Sequence, residues 1–363
     1  MPLRFLTPLS LCVLIAGCEA QSSALPTSDK LIEAKVAEIA ERVEARYPDL
    51  SRTLREEIIA TVVRSLDDMV FIEGGEFEMG DFGTLCNYDP TNMGVWPYGQ
   101  EPDRLCPITP ERHDDHLHQV RLSSYHLSRY QTRLKDFDLY RTSLGLPLFD
   151  EEYREREDLA DEYHPHNPAP VKLWQEAKDY CLWLGELSNY PVDLPTEAQW
   201  EFAARNRGQY IQYPTDDGHL RNGKNMLHDN ETSVGPVGQF PPNPLGLYDM
   251  TGIATDWVND WYAEDYYRNS PVENPAGPAN GTQKIRRGSY YGELNWMSAN
   301  TVRRWNHDPV RNNYYSGTSF RCALLSDMAL QSINGVSVID FRRSNTLTPL
   351  FEQPEVLAQV VPD

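Results

Sequence analysis

The sequence predicts an α+β fold, irregular and loop-rich, with short helices at its N-terminal side. Three observations carry that prediction. The 27 Pro and 22 Gly among 363 residues punctuate the chain too often for long helices. The 20 Tyr, 11 Phe and 8 Trp supply large rings able to pin irregular backbone. Apolar residues recur in steps of three and four at Ile32, Val36, Ile39 and Val43, and again at Leu54, Ile58, Val62 and Leu66. From Met69 that period gives way to short β segments between Gly and Pro. A hydrophobic content of 40% is enough for a sizeable core, which argues against disorder.

Residues 1–17 read as a signal peptide. Arg4 precedes an apolar run, Leu6 to Gly17, that is too short to span a bilayer. The run ends in Leu14-Ile15-Ala16-Gly17-Cys18, which resembles the lipobox of bacterial lipoproteins. Cys18 is therefore the expected lipidation site, and the chain is expected in the cell envelope, tethered to membrane through its lipid. Residues 18–29 are small and polar and read as the tether. Residues 30–68 are predicted to form two amphipathic helices packed on the main domain, 69–330 a single domain, and 331–363 a strand and tail. Within the domain, helices are predicted over Leu173 to Ser188 and Thr196 to Arg205, the second opening on the cap-like order Pro195-Thr196-Glu197-Ala198-Gln199.

Charge excludes one class of partner. With 33 Lys+Arg against 54 Asp+Glu the net charge is -21, so the chain offers no surface for nucleic acid phosphates. Beyond Cys12 and Cys18, Cys86, Cys106, Cys181 and Cys322 form an even set suited to two disulfides in an oxidising compartment, with three connectivities open.

No phosphate-binding loop, zinc-hydrolase helix or nucleophile elbow is present. A string of segments in fixed order stands out instead. It runs Met69-Val70-Phe71-Ile72-Glu73-Gly74-Gly75-Glu76-Phe77-Glu78-Met79-Gly80, then His118-Gln119-Val120-Arg121-Leu122 and Pro168-Ala169-Pro170-Val171. Leu194 to Arg205 (LPTEAQWEFAAR) follows, then Pro242 to Gly252 (PNPLGLYDMTG), Arg286-Arg287-Gly288-Ser289-Tyr290 and Ser319-Phe320-Arg321-Cys322-Ala323. This closely resembles the formylglycine-generating enzyme, or sulfatase-modifying factor, family, over about residues 69–325. The resemblance implies a C-type-lectin-like fold and a disulfide between Cys181 and Cys322, which leaves Cys86 with Cys106. Glu197 and Arg205 are each expected to form internal charge-assisted hydrogen bonds.

The resemblance also shows departures. The family's oxidase chemistry uses a copper-binding cysteine pair shortly after the Gly-Ser-Tyr/Trp motif, where this chain has Gly292 and Met297 near the corresponding places. Formylglycine generation and copper are therefore not expected. Iron is not expected either, because the family's iron-binding branch takes ligands from a His-bearing helical bundle and residues 19–68 contain no His. One calcium ion is allowed by Asn225 and Asp229, with Asp256 standing in the second calcium loop, whose usual Asn is missing.

The stretch Tyr290 to Tyr315 carries Trp296, Arg303, Arg304, Trp305, His307, Arg311 and Tyr314, the composition of a binding surface. Its positive charge points to an anionic ligand or an acidic partner patch. The function expected is a lipid-anchored module that binds a partner, a protein in the envelope, as an accessory or immunity factor for a secreted effector. A second reading is a metal-dependent oxidoreductase using His113, His116 and His307. A third is a calcium-dependent glycan-binding protein.

Overall fold

The structure, a computed structural model, describes residues 24–85, 105–226, 234–291, 299–310, 317–328 and 330. The chain begins with α1 (Glu33–Arg46) and α2 (Arg52–Asp67), followed by β1 (Met69–Ile72), β2 (Gly75–Met79), β3 (Thr84–Leu85), β4 (Leu105–Cys106), β5 (His118–Leu122) and β6 (Tyr125–Ser128). Then come α3 (Leu134–Ser143), α4 (Trp174–Ser188), β7 (Val192–Asp193), α5 (Glu197–Ala204), β8 (Thr255–Trp261), α6 (Tyr266–Asn269), β9 (Lys284–Arg287), β10 (Arg304–His307), β11 (Thr318–Phe320) and β12 (Ala323–Leu324).

The two N-terminal helices bury the faces their spacing implies. Val36, Ile39 and Val43 of α1 join Ile58, Val62 and Leu66 of α2 in one core with α3 and α4. Ile32 departs from the expected stripe, because it sits in extended conformation just before the helix and is 45% exposed. Ser51 Oγ caps α2 by accepting the Leu54 amide at 3.2 Å. Tyr47 ties the hairpin down: its hydroxyl receives Trp183 Nε1 of α4 at 2.8 Å and Ser143 Oγ of α3 at 3.3 Å. Upstream, Ser28 Oγ donates to Asp67 Oδ1 at 2.6 Å, and Lys30 Nζ donates to the carbonyls of Asp67 and Met69, so residues 28–30 are fastened where α2 ends.

One sheet has the order β1-β6-β12-β7 and is antiparallel throughout. A second has the order β10-β9-β8-β11, in which β8 and β11 run parallel. β2 and β5 form a ladder whose side chains alternate as a half-buried sheet requires: Phe77, Met79, Val120 and Leu122 point in, Glu76, Glu78 and Arg121 out. Gly74 permits the approach to β5, since a Cβ there would lie 2.2 Å from the Leu122 carbonyl oxygen. α5 opens with a capping box of Thr196 and Gln199 and is buried on every side.

Cys181 on α4 is bonded to Cys322 beside β12, with Cα atoms 5.5 Å apart. The pairing that the resemblance implied is therefore present. Cys106 is also disulfide-bonded; Cys86, its expected partner, lies outside the described residues, as do Cys18 and the segment 331–363.

Two predictions concern stability. Replacing Cys181 and Cys322 by Ser opens a loop of 141 residues, and denaturant titration should show a loss of about 4–5 kcal/mol. His126 on β6 is 1% exposed and set edge-on to Phe71. Burial, helped by Lys30, holds its pKa down to about 4. The fold thus favours neutral His126, and its contribution is complete above pH about 6.5 and is lost as pH falls toward 4, by up to about 3 kcal/mol. Urea midpoints at neutral and acidic pH should therefore diverge less in His126→Leu than in the parent.

Candidate functional site

A small solvent-open cleft lies at the start of β11, between the start of β8 and the segment that leads into α4. Its lining includes Glu162, Tyr163, Pro168, Pro170, Ile253, Tyr291 and Ser319. The wall is stiff for local reasons. Pro168 and Pro170 have no amide hydrogen to satisfy, while the residues after them hold the framework: Ala169 N–H donates to the Thr132 carbonyl at 2.6 Å and Val171 N–H to that of Thr318 at 3.3 Å. At the rim Gly317 has φ +55°, and a Cβ there would lie 2.5 Å from that of Tyr290, so the ring closes over a residue that must be Gly.

Two polar groups of the cleft are engaged within the chain: Thr318 Oγ1 receives Arg286, and the Tyr163 hydroxyl lies 3.5 Å from Asp150. Burial alone raises the pKa of Glu162. Burial also raises that of Tyr291, reinforced by the nearby Glu162 carboxylate and by Tyr290. Ser319 Oγ is buried and has no hydrogen-bond partner among the described residues. The cleft thus sets a carboxyl, a phenol and a hydroxyl among prolines and aliphatic groups.

Behind the cleft, charges hold the strands in place. Asp256 of β8 accepts Trp200 Nε1 at 2.9 Å and Arg321 Nε at 2.7 Å on one oxygen, and Gln131 Nε2 at 2.8 Å on the other. On α5, Glu197 receives Arg287 at 2.9 Å and forms an ion pair with Arg304 at 3.0 Å, and Glu201 receives Arg287 and Arg205 at 2.8 Å each. All these side chains are 0–2% exposed. Their carboxylates hold the Arg287 and Arg304 guanidinium groups above their ordinary pKa against the cost of burial. Arg286 of β9 donates to Thr318 Oγ1 on β11, reaching under the cleft floor.

These contacts correct several sequence expectations. Arg304 does not face a ligand, because it is 1% exposed and neutralised by Glu197. Arg303 stacks 3.6 Å from the centre of the Trp305 ring and pairs with Glu111 at 3.1 Å, so its charge is compensated within the chain. Trp305 Nε1 donates to the Gly288 carbonyl at 3.2 Å. His307 Nδ1 lies 2.9 Å from Arg286 and its ring meets Trp257 edge-on. The described part of the expected surface is thus largely occupied with internal contacts; Trp296, Arg311 and Tyr314 lie outside the described residues. Arg205 and Glu197 do form internal charge-assisted hydrogen bonds, with Glu201 and Arg287 respectively.

The metal readings change too. The carboxylate of Asp256, named above for the second calcium loop, is engaged by three buried donors. Asn225 braces its own turn, accepting the Arg221 amide and donating to Asp216 and the His219 carbonyl. Asp229 lies outside the described residues. His113 bonds the Tyr262 hydroxyl at 3.0 Å, away from His307, which faces Arg286. Among the described residues the acids and imidazoles close enough to share one ion are Asp81, Asp114 and Asp115. Within that group burial raises the pKa of Asp114 to about 8, with Asp81 nearby adding to the shift, although Thr109 bonds both its oxygens.

Sequence reasoning passed over Glu162, Tyr163, Tyr291 and Ser319. Ser319 stood inside a recognised motif and Tyr291 beside one, whereas Glu162 had no signal beyond an acidic stretch. One prediction follows from the charge framework. Arg304→Met strands part of the Glu197 charge in the core and should lower unfolding free energy by about 3 kcal/mol. Adding Glu197→Gln should recover part of that loss in a double-mutant cycle measured by chemical denaturation.

Comparison with known proteins agrees with this geometry. The family model described as sulfatase-modifying factor enzyme 1-like domain matches residues 55–324. Serine/threonine-protein kinase Pkn1 of Chlamydia trachomatis is 31% identical over 284 residues, which are 77% of this chain and 42% of the relative. The formylglycine-generating enzyme of Streptomyces coelicolor is 31% identical over 140 residues, 35% of this chain and 43% of that enzyme. The chain spans less than half the length of these curated relatives. Among solved structures PvdO from Pseudomonas aeruginosa has the same fold, with a TM-score of 0.51 at 23% identity over 70% of this chain and 93% of PvdO.

Proposed function

The chain belongs to the sulfatase-modifying factor enzyme 1-like domain family, and from that premise we propose that it is a lipid-anchored binding module of the cell envelope and not a thiol oxidase. The observation that carries the reading is the chemistry of the cleft. Glu162, Tyr291 and Ser319 offer recognition groups there, and the sequence has no cysteine between Cys181 and Cys322. Cys181 and Cys322 themselves are buried and bonded to each other. A thiolate copper site of the formylglycine-generating kind therefore does not fit these residues, and no redox step is derived through one.

The name of the chlamydial relative does not transfer a kinase activity, because more than half of that protein lies outside the match. The resemblance of Leu14 to Cys18 to a lipobox supports attachment through Cys18, where each acyl methylene adds about 0.8 kcal/mol of membrane affinity. Among the described residues no helix is long and apolar enough to cross a membrane. Anchoring by lipid and a cleft without thiols together favour a partner that is a protein of the envelope, with the chain as its accessory or immunity factor.

Two experiments test this. Cys18→Ala should move the protein from the membrane pellet to the soluble fraction, and retention in the pellet would refute the anchor. A photo-reactive amino acid at position 291, irradiated in intact cells, should give a discrete protein adduct that is missing when the same group replaces exposed Glu57. No adduct at 291, or aldehyde formed by the purified chain on a cysteine-bearing peptide and captured with a hydrazide, would overturn the reading.

A further inference from the structure

The segment that ends in the cleft residue Glu162 begins with an exposed apolar loop. After α3, the run Leu144-Gly145-Leu146-Pro147-Leu148 holds its three leucines 44%, 46% and 36% exposed. The loop is not loose. The Leu144 and Leu146 amides both donate to the Arg141 carbonyl at 3.0 Å, and Arg141 Nε donates to that of Pro147 at 2.9 Å. Asp138 fixes the far end, accepting the Phe149 amide at 3.0 Å and Arg154 at 2.9 Å, while Phe149 is 1% exposed. Gly145 has φ +71°, and among the described residues nothing lies within 4 Å of where its Cβ would stand. Three leucines pinned in water are a preorganised contact, whose ordering cost is met in folding and not on association.

The chain beside the loop is acidic. Glu151, Glu152 and Glu155 are exposed and make no ion pair among the described residues, while the basic Arg154 is taken by Asp138. Glu151 follows Leu148 by three residues, so that acid stands within about 11 Å of that leucine along the backbone, with Glu152 and Glu155 on the same stretch of chain.

We propose that this loop and its acidic rim form a docking surface for a polypeptide segment with apolar side chains flanked by Lys or Arg. Charge complementarity selects that occupant. An anionic lipid surface or a second copy of this chain would set negative charge against Glu151, Glu152 and Glu155, and the whole chain carries -21. The proposal rests on the binding reading above and gives the chemistry of the protein partner.

The test uses the full-length chain and a fluorescent synthetic amphipathic peptide of leucine and lysine, read by anisotropy. Leu144→Ser/Leu146→Ser/Leu148→Ser and Glu151→Gln/Glu152→Gln/Glu155→Gln should each weaken binding by about tenfold or more, with Leu146→Ser alone giving a smaller loss in the same direction. Neutralising the same number of exposed glutamates on the N-terminal helices, Glu33, Glu41 and Glu57, should change it less than about twofold. Full binding by the leucine variant, or equal losses in the two glutamate variants, would reduce the effect to overall charge and overturn the proposal. Leucine-dependent binding to phosphatidylglycerol vesicles would overturn it in favour of lipid. If the proposal fails while the adduct at position 291 persists, the binding reading stands and only the docking surface is lost.

Discussion

The fold depends on one arrangement: two glutamates of a fully buried helix, Glu197 and Glu201, neutralised by three arginines from different parts of the chain. None of these charges could stay buried alone, since moving one ion out of water costs several kcal/mol even after relaxation. Each is tolerable because the others arrive. Arg287 comes from β9, Arg304 from β10 and Arg205 from the end of α5, so the network fixes how the second sheet sits on the helix. Gly80 and Tyr267 join it through hydrogen bonds to Glu201 and Glu197. Specificity, more than stability, is what such a set contributes: an apolar core would accept a slipped strand, whereas this one would leave a carboxylate unpaired.

Asp256 plays the same part on the opposite edge. It joins Trp200, Arg321 and Gln131, and through them α5, the run into β12 and the turn before α3. Regular ladders are short here, several of only two to four residues, so side-chain charge does work that longer strands would do in an ordinary sheet. A cleft built on such a frame inherits its rigidity, because Ser319 and Thr318 lie on the strand paired with Asp256 and Thr255.

What was legible in the sequence follows from this. The helices of the N-terminal hairpin showed a period that burial demands, and the Thr196–Gln199 cap marked the start of α5. The family motifs located the Cys181–Cys322 bridge. The binding face was misread because Arg303, Arg304 and Trp305 have the composition of a recognition surface and of an irregular core alike. Only the positions of Glu111 and Glu197, far away in sequence, decide between the two. Asp256 was ambiguous for the same reason: a carboxylate placed for a cation and one held under Arg321 read identically in one dimension. Glu162 acquires meaning only from what β11 brings beside it.

The sheet order β1-β6-β12-β7 has a further consequence, for the order in which the chain can fold. The last strand of the domain lies between two that precede it, so β6 keeps an open edge and β7 has no neighbour until Ala323 and Leu324 emerge. Cys181 must wait as a free thiol for Cys322, 141 residues later. A chain that closes its first sheet with its last strand cannot fold piecewise from the N-terminus, and the long-range pairing makes closure slow. Its incomplete forms expose an unpaired strand edge and a reactive sulfur together. Closure of the first sheet only once Ala323 and Leu324 are available is therefore built into the topology.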